Sequence, residues 1–326
     1  MVDIIIPAYN CSRTLPKTLA SIAAQTKAEK CIVTIVDDCS TEDLKPIIKL
    51  FRENFHLKIN YIKLNQNLKY PGLVRQVGLN NSNAPYILFV DSDDFLDPRA
   101  VELANTEMRQ SNSDVIISHF FREDKNRQWQ LMDETQTTWL HGNFYKREFL
   151  EKNKIEFSAG YNEDGAFNTQ CYLLAERTSK LSTPVYYWSF NENSLTRSEE
   201  DFSEKYGKDF LSTLIPAYKN VIEQQPENAN AFCNMARHLA FAYKLLNKMI
   251  PIMEDEIIAE YYLELKKFAE ILFQKKIFKD IIKKSFIDGC LKYPNSKILI
   301  PMEEFLYYID APFELELEDF ISIQGE

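Results

Sequence analysis

Three carboxylates fall within four residues at Asp91-Ser92-Asp93-Asp94, directly behind the apolar run Tyr86-Ile87-Leu88-Phe89-Val90. Like charges this close repel one another unless a positive charge lies among them or water solvates the turn. Oxygen-only donors such as Asp91 and Asp93, two apart on a turn, suit a hard cation such as magnesium, which takes one or two protein carboxylates and fills its shell with phosphate oxygens and water. A purely local reading competes: Asp93, Asp94 or Asp97, ahead of Pro98, caps the following helix and complements its dipole. Two further polar clusters, Pro7-Ala8-Tyr9-Asn10 and Asp37-Asp38-Cys39-Ser40, also follow apolar runs.

The elements that carry these clusters read as repeated β-α units. Val2 to Pro7 is an apolar strand, and Ser12 offers a cap for a helix bearing Leu15, Leu19, Ile22 and Ala23 at helical spacing. Cys31 to Val36 is a second strand. Ser40 with Asp43 three residues on resembles a capping box for the helix of Leu44, Ile47, Ile48 and Phe51. Lys58 to Leu64, the helix from Pro71 to Asn81 and the strand Tyr86 to Val90 continue the alternation. This pattern predicts a mostly parallel, helix-flanked, Rossmann-like sheet, whose ligands bind beyond the carboxyl ends of the strands. All three polar clusters sit at that rim.

From Asp114 to about Tyr187 the pattern is mixed, with strands near Val115 to Phe120 and Val185 to Phe190 around a helix from Glu163 to Ala175. We read 1–200 as one α/β domain, split into a 1–95 half and a 96–200 half, and 201–326 as a helical C-terminal module. In that module Phe210, Leu214, Tyr218 and Val221, then Phe232, Met235, Leu239, Tyr243 and Leu246, follow helical spacing. Pro226-Glu227-Asn228 makes a joint between two of its helices. Residues 261–288 carry Lys266, Lys267, Lys275, Lys276, Lys279, Lys283 and Lys284 among apolar positions. That is either a solvated lysine face, a peripheral contact with an anionic membrane, or a surface for a polyanion.

The chain has 326 residues and a net charge of −10, which disfavours an all-over basic surface made for nucleic acid. Its six cysteines form no CxxC pair, so neither a zinc knuckle nor a disulfide framework is expected. The opening MVDIIIPAYN is too short in its apolar run for a signal peptide, and no later segment has the apolar length of a membrane span. A cytoplasmic protein, peripheral at most on the inner face of the membrane, is the expectation. Self-association through the helical module is a further one.

The order and spacing of IIIPAYN (4–10), VDDCS (36–40), GLVRQVGL (72–79), FVDSDD (89–94) and NEDGAF (162–167) resemble the family 2 glycosyltransferases with the GT-A fold. The resemblance covers about the first two hundred residues. It implies that Pro7, Ala8 and Tyr9 lie against a nucleotide base and ribose, and that Asp38, or alternatively Asp37, accepts a hydrogen bond from the base. Asp91-Ser92-Asp93 matches the family's Asp-x-Asp motif, with Asp93 the direct ligand of a divalent metal, Mn2+ or Mg2+, and Asp91 a contact to sugar or ribose. Arg75 matches an arginine associated with the donor region, although it could equally neutralise the acidic turn. Asp164 matches the catalytic base beside Glu163, and Trp139 and His141 fall where acceptor-side residues gather. Arg197 belongs to a late loop that covers the donor.

These matches imply a metal-dependent inverting transferase moving a sugar, most simply from a UDP-sugar, to a glycan, lipid-linked or other polymeric acceptor. One rival is another sugar-nucleotide enzyme, against which stands the lack of a glycine-rich phosphate loop. The other is a catalytically degenerate sugar-binding or scaffold module. The chain departs from related enzymes twice. No histidine lies between Asp164 and His238 to serve as a late metal ligand, and Cys39 stands where many relatives carry glycine.

Overall fold

The computed structural model describes residues 1–132, 139–191, 199–293, 297–316, 319 and 323, with 199–205 as backbone only. The chain runs β1 (Val2–Ala8), α1 (Leu15–Ala23), β2 (Cys31–Asp37), α2 (Lys45–Asn54), β3 (Ile59–Lys63), α3 (Pro71–Asn80), β4 (Tyr86–Phe89), β5 (Phe95–Leu96) and α4 (Ala100–Ser111). There follow β6 (Val115–Ile117), β7 (Phe120–Glu123), β8 (Trp129–Met132), β9 (Phe144–Lys146), α5 (Arg147–Lys152), α6 (Glu163–Leu174), β10 (Thr178–Lys180) and β11 (Tyr186–Trp188). Five helices complete it: α7 (Glu199–Gln224), α8 (Ala229–Met249), α9 (Asp255–Phe273), α10 (Lys279–Lys292) and α11 (Met302–Tyr308).

Compactness divides these elements into two units, one of residues 1–159 and 163–194, the other of 160–162 and 195–326. In the first, seven strands form a sheet in the order β10-β6-β9-β4-β1-β2-β3. β1 pairs in parallel with both β2 and β4, and β2 with β3, so the predicted parallel core is present. β9 is antiparallel to both β4 and β6, a strand the mixed pattern after Asp114 did not reveal. Of a second sheet, β5-β11-β7-β8, the expected strand at 185–190 contains β11, whereas β5, β7 and β8 are only two to four residues long and were not separated in the sequence.

Burial on both faces explains the near-continuous apolar reading of β1, β2 and β4. Ile4, Ile6, Val33, Ile35 and Leu88 pack with Leu15, Leu19 and Ile22 of α1 and with Ile48 and Phe51 of α2. Around Phe89 stand Phe157 and Phe167, whose rings stack at 4.1 Å. α3 lies directly on β1, since a Cβ at Gly78 would fall 2.4 Å from Ile5 Cγ2.

Both expected serine caps are corrected. α1 starts from Thr14 and α2 from Leu44, neither with a side-chain cap. Ser12 instead donates its N–H to Glu42, and Ser40 Oγ accepts the Asn10 N–H at 2.9 Å. Ser40 thus ties the loop after β1 to the loop after β2.

In the second unit the joint at 226–228 lies between α7 and α8, where Asn228 accepts the Ala231 N–H at 3.1 Å. α8 and α10 pack so closely that a Cβ at Gly289 would fall 2.8 Å from Ala240 Cβ. The lysine-rich 261–288 stretch is not one helix: α9 ends at Phe273, and α10 begins at Lys279. Three of its lysines are paired, Lys266 with Asp310, Lys275 with Glu227 and Lys283 with Asp319. Among the described residues, no helix is long and apolar enough to cross a membrane.

Candidate active site

The parallel register brings the first two clusters together. Ala8 lies opposite Asp37 across β1 and β2, and the Asp38 N–H donates to Ala8 O. Tyr9 is 54% exposed, leaving a ring free at the rim. Asp37 is fully buried and spent on structure: Oδ1 accepts the Ser40 N–H at 2.8 Å and Oδ2 the Tyr61 hydroxyl at 2.6 Å. Asp38 accepts the Leu68 N–H through Oδ1 at 2.7 Å, and burial raises its pKa against that bond. Its carboxylate also takes a backbone hydrogen bond from Lys69. Cys39 adopts φ +60°, the left-handed conformation in which glycine carries no steric penalty.

At the centre of the third cluster stands Arg75, 4% exposed on α3. Its Nη2 lies 2.6 Å from Asp91 Oδ1, and its Nη1 lies 3.0 Å from Glu163 Oε1 and 3.1 Å from Asp164 Oδ1. One guanidinium therefore answers three carboxylates. Gly72, one helical turn earlier, makes the approach possible, because a Cβ there would sit 2.5 Å from Glu163 Cγ.

Burial works against ionisation of Asp91, but Arg75 and then His141 outweigh it and hold that carboxyl below the usual range. For Asp164 the balance falls the other way. Burial, with Glu163 and Asp91 nearby, outweighs Arg75 and pushes its pKa well above the ordinary value, while its side chain stays 24% exposed. Glu163 is also raised by burial against the pull of Arg75. A solvent-reachable carboxylate with raised proton affinity is suited to take a proton from an alcohol.

The four residues of the acidic turn separate in role. Asp91 and Asp93 are part-exposed, and Asp93 Oδ2 accepts Asn191 Nδ2 at 2.8 Å. Ser92 is hydrogen-bonded with the buried Cys11 thiol, whose pKa burial raises to about 11. Asp94 is fully buried, with Oδ2 accepting the Tyr186 hydroxyl at 2.6 Å and Oδ1 the Ser189 N–H at 2.8 Å. Capping of α4 is not its task, since the N-cap of that helix is Arg99 and the Ala100 N–H bonds to Asp97 O.

His141, 6% exposed, is enclosed by aromatic rings: Trp139 stacks on it at 5.6 Å and 13°, and Tyr186, Trp188 and Phe120 lie 4.8 to 4.9 Å away. Its nitrogen and the oxygens of Asp91 and Asp94 fall within 4.8 Å of one another. A histidine near the acidic turn thus comes from before Asp164 in the sequence rather than after it. Arg197 lies outside the described residues. Sequence reasoning missed Tyr186, Ser189 and Asn191, which grip the acidic turn from more than ninety positions away. The short aromatic run Tyr186-Tyr187-Trp188 was their one visible signal.

Residues 3–163 match the family model described as glycosyl transferase family 2. Poly(ribitol-phosphate) beta-N-acetylglucosaminyltransferase TarS of Staphylococcus aureus strain Mu50 is 29% identical over 225 residues, covering 62% of this chain and 38% of that protein. The chain therefore spans well under half the length of that relative. The crystal structure of S. aureus TarS 1-349 in complex with UDP-GlcNAc matches with a TM-score of 0.64 at 20% identity, over 88% of each chain. The mannosyltransferase PcManGT from Pyrobaculum calidifontis, in complex with GDP-Man and Mn2+, matches at 0.51 and 14% identity, over 90% of this chain and 86% of that one. With the GT-A fold shared and the family model matched from β1 to the first residue of α6, residues 3–163 form a glycosyl transferase family 2 domain.

Proposed function

We propose that the chain transfers a sugar from a UDP-linked donor to a hydroxyl of a polymeric acceptor, with inversion at the anomeric carbon. The observation that carries this reading is the Arg75 bridge, which joins Asp91 of the Asp-x-Asp turn to Asp164 at the start of α6. On this reading residues 1–95 bind the donor, 96–200 the acceptor, and 201–326 form a helical appendage. TarS supports the donor class, through its complex with UDP-GlcNAc, and a poly(ribitol-phosphate) type of acceptor.

Pro7, Ala8, Tyr9 and Asp38 hold the nucleotide: the exposed Tyr9 ring offers an apolar face and Asp38 an acceptor for a base N–H. Asp164 accepts the proton of the acceptor hydroxyl as its oxygen bonds the anomeric carbon. The bond from that carbon to the diphosphate oxygen breaks, and its electron pair leaves with UDP. The proton then passes to solvent. Direct attack by the acceptor oxygen, deprotonated by one base on the face opposite the leaving group, inverts the configuration, as in inverting hydrolysis. Arg75 holds Asp91 and Asp164 in place and lowers the cost of their burial.

Asp91 and Asp93 fit a divalent cation. Both offer hard oxygens and both are part-exposed, whereas Asp94 is sealed and has both oxygens engaged. Mg2+ or Mn2+ bound there would supply positive charge to the diphosphate of the departing nucleotide. The Mn2+ of the PcManGT complex supports that class of ion.

The test is release of nucleoside diphosphate from a panel of UDP-, GDP- and TDP-sugars with manganese, magnesium or chelator, alongside thermal shift. Metal-dependent release from a UDP-sugar, lost in Asp93→Ala, is expected. Failure of every nucleotide to shift the melting temperature under any metal condition would overturn the donor site.

A further inference from the structure

Three residues ahead of α6 are held differently from the helix they lead into. Gly160–Asn162 belong to the C-terminal unit, while Glu163 resumes the first one. Gly160 has φ +136°, and a Cβ on it would meet Thr213 Cγ2 at 2.5 Å and Asp209 Cβ at 3.1 Å, so the chain passes where a side chain has no room. The Tyr161 N–H donates to Asp209 Oδ2 at 3.2 Å. Asn162, 3% exposed, donates from Nδ2 to Thr213 Oγ1 at 3.1 Å and accepts the Tyr206 hydroxyl on Oδ1 at 2.8 Å.

The donor and acceptor roles here are fixed. Thr213 has one hydroxyl proton, and it is spent on its own helix, with Asp209 O at 3.1 Å and Phe210 O at 3.0 Å. Toward Asn162 the oxygen can then only accept, which orients the carboxamide with nitrogen to Thr213 and oxygen to Tyr206. An asparagine just ahead of a helix commonly caps that helix. Here both ends of the carboxamide are engaged by α7, and the next two residues are Glu163 and Asp164.

We infer that Asn162, gripped by Thr213 and Tyr206, is a positioning residue for Asp164: the α7 clamp fixes the backbone entering the first turn of α6, whose Asp164 carboxylate Arg75 holds. The inference rests on the reading of Asp164 as the base and assigns the helical region a part in the reaction through residues that need touch no substrate. Misplacement of a reacting group by about 1 Å costs on the order of 10²-fold in rate.

The test uses the full chain carrying Thr213→Val, Thr213→Ser or Asp164→Asn, with UDP-GlcNAc and poly(ribitol phosphate) as probes, and amide hydrogen exchange on each protein. In Thr213→Val, which keeps the side-chain shape and removes the oxygen, amides of 161–166 are expected to exchange at least about tenfold faster while those of α8 hold their rates. Its kcat is expected to fall about 10- to 100-fold with donor KM unchanged, and Thr213→Ser to restore both properties. Unaltered exchange at 161–166 in Thr213→Val overturns the inference, as does unaltered kcat. A fully active Asp164→Asn protein would instead sink the base assignment, and the exchange result then decides by itself whether the clamp fixes this turn.

Discussion

The Arg75 guanidinium lies 2.6 Å from Asp91 and 3.1 Å from Asp164, so one buried side chain of α3 ties the turn after β4 to the first turn of α6. Removing it strands three carboxylates, Asp91, Glu163 and Asp164. Arg75→Met is expected to lose about 3–5 kcal/mol of stability, as when one partner of a buried pair is deleted. Arg75→Lys should recover only part, because an ammonium lacks the fork that reaches three separate acids. Denaturant midpoints of the three proteins check this order.

Asp164 and Glu163 share the arginine but not the exposure, 24% against 8% for their side chains. Asp164→Asn is expected to lower kcat by about 10²- to 10⁴-fold with donor binding kept, the range for a lost general base. Glu163→Gln retains its shape and should cost far less in kcat. Steady-state rates with nucleotide affinity by calorimetry separate the two; equal losses would contradict a single base.

The pH dependence follows from the direction of the shifts. Burial raises Asp164, and the base works only when ionised, so kcat should fall on the acid side at a pH above that of an ordinary aspartate. Glu163→Gln deletes a neighbouring negative charge and frees Arg75 for Asp164, so the acid limb should move to lower pH. Stability carries the opposite sign: carboxyls raised in the folded state contribute fully below their unfolded pKa, and this contribution is lost as pH rises through the folded value. A kcat profile of both proteins, and unfolding at matched pH values, measure the two effects.

Gly72→Ala places a methyl 2.5 Å from Glu163 Cγ and 2.7 Å from its Cβ. Overpacking of this kind costs about 1–3 kcal/mol, and it presses on the carboxylate nearest Asp164. A lowered melting temperature together with reduced kcat is the expected outcome; an unshifted melting temperature would contradict the close approach.

Cys39→Gly should act in the other direction. The cysteine sits at φ +60° in the loop beside Asp38, where a Cβ costs about 1–2 kcal/mol and glycine gives back part through its unfolded-state entropy. A gain of about 1 kcal/mol, or roughly 3 °C in melting temperature, is expected.

The parallel core and the positions of its ligand rim were determined by the sequence alone. Apolar runs at β1, β2 and β4 are long enough to be buried on both faces, and each ends in polar residues, so chain direction and burial together put Tyr9, Asp38 and Asp93 at one edge. Asp164 was marked by the family resemblance; by itself the pattern shows only an acidic pair opening a helix. Tertiary structure decided how the acids are neutralised. Nothing local distinguishes Asp94, sealed beneath Tyr186 and Ser189, from Asp93 at the rim, because their partners arrive from a strand more than ninety residues away. The same holds for Arg75, whose partners Glu163 and Asp164 are 88 and 89 residues distant. It holds again for Asn162, which reads as a helix cap and is instead held by α7. Hydrophobic periodicity is a local property of the chain, whereas the charge environment of a buried carboxylate is set by whichever segments the fold brings against it.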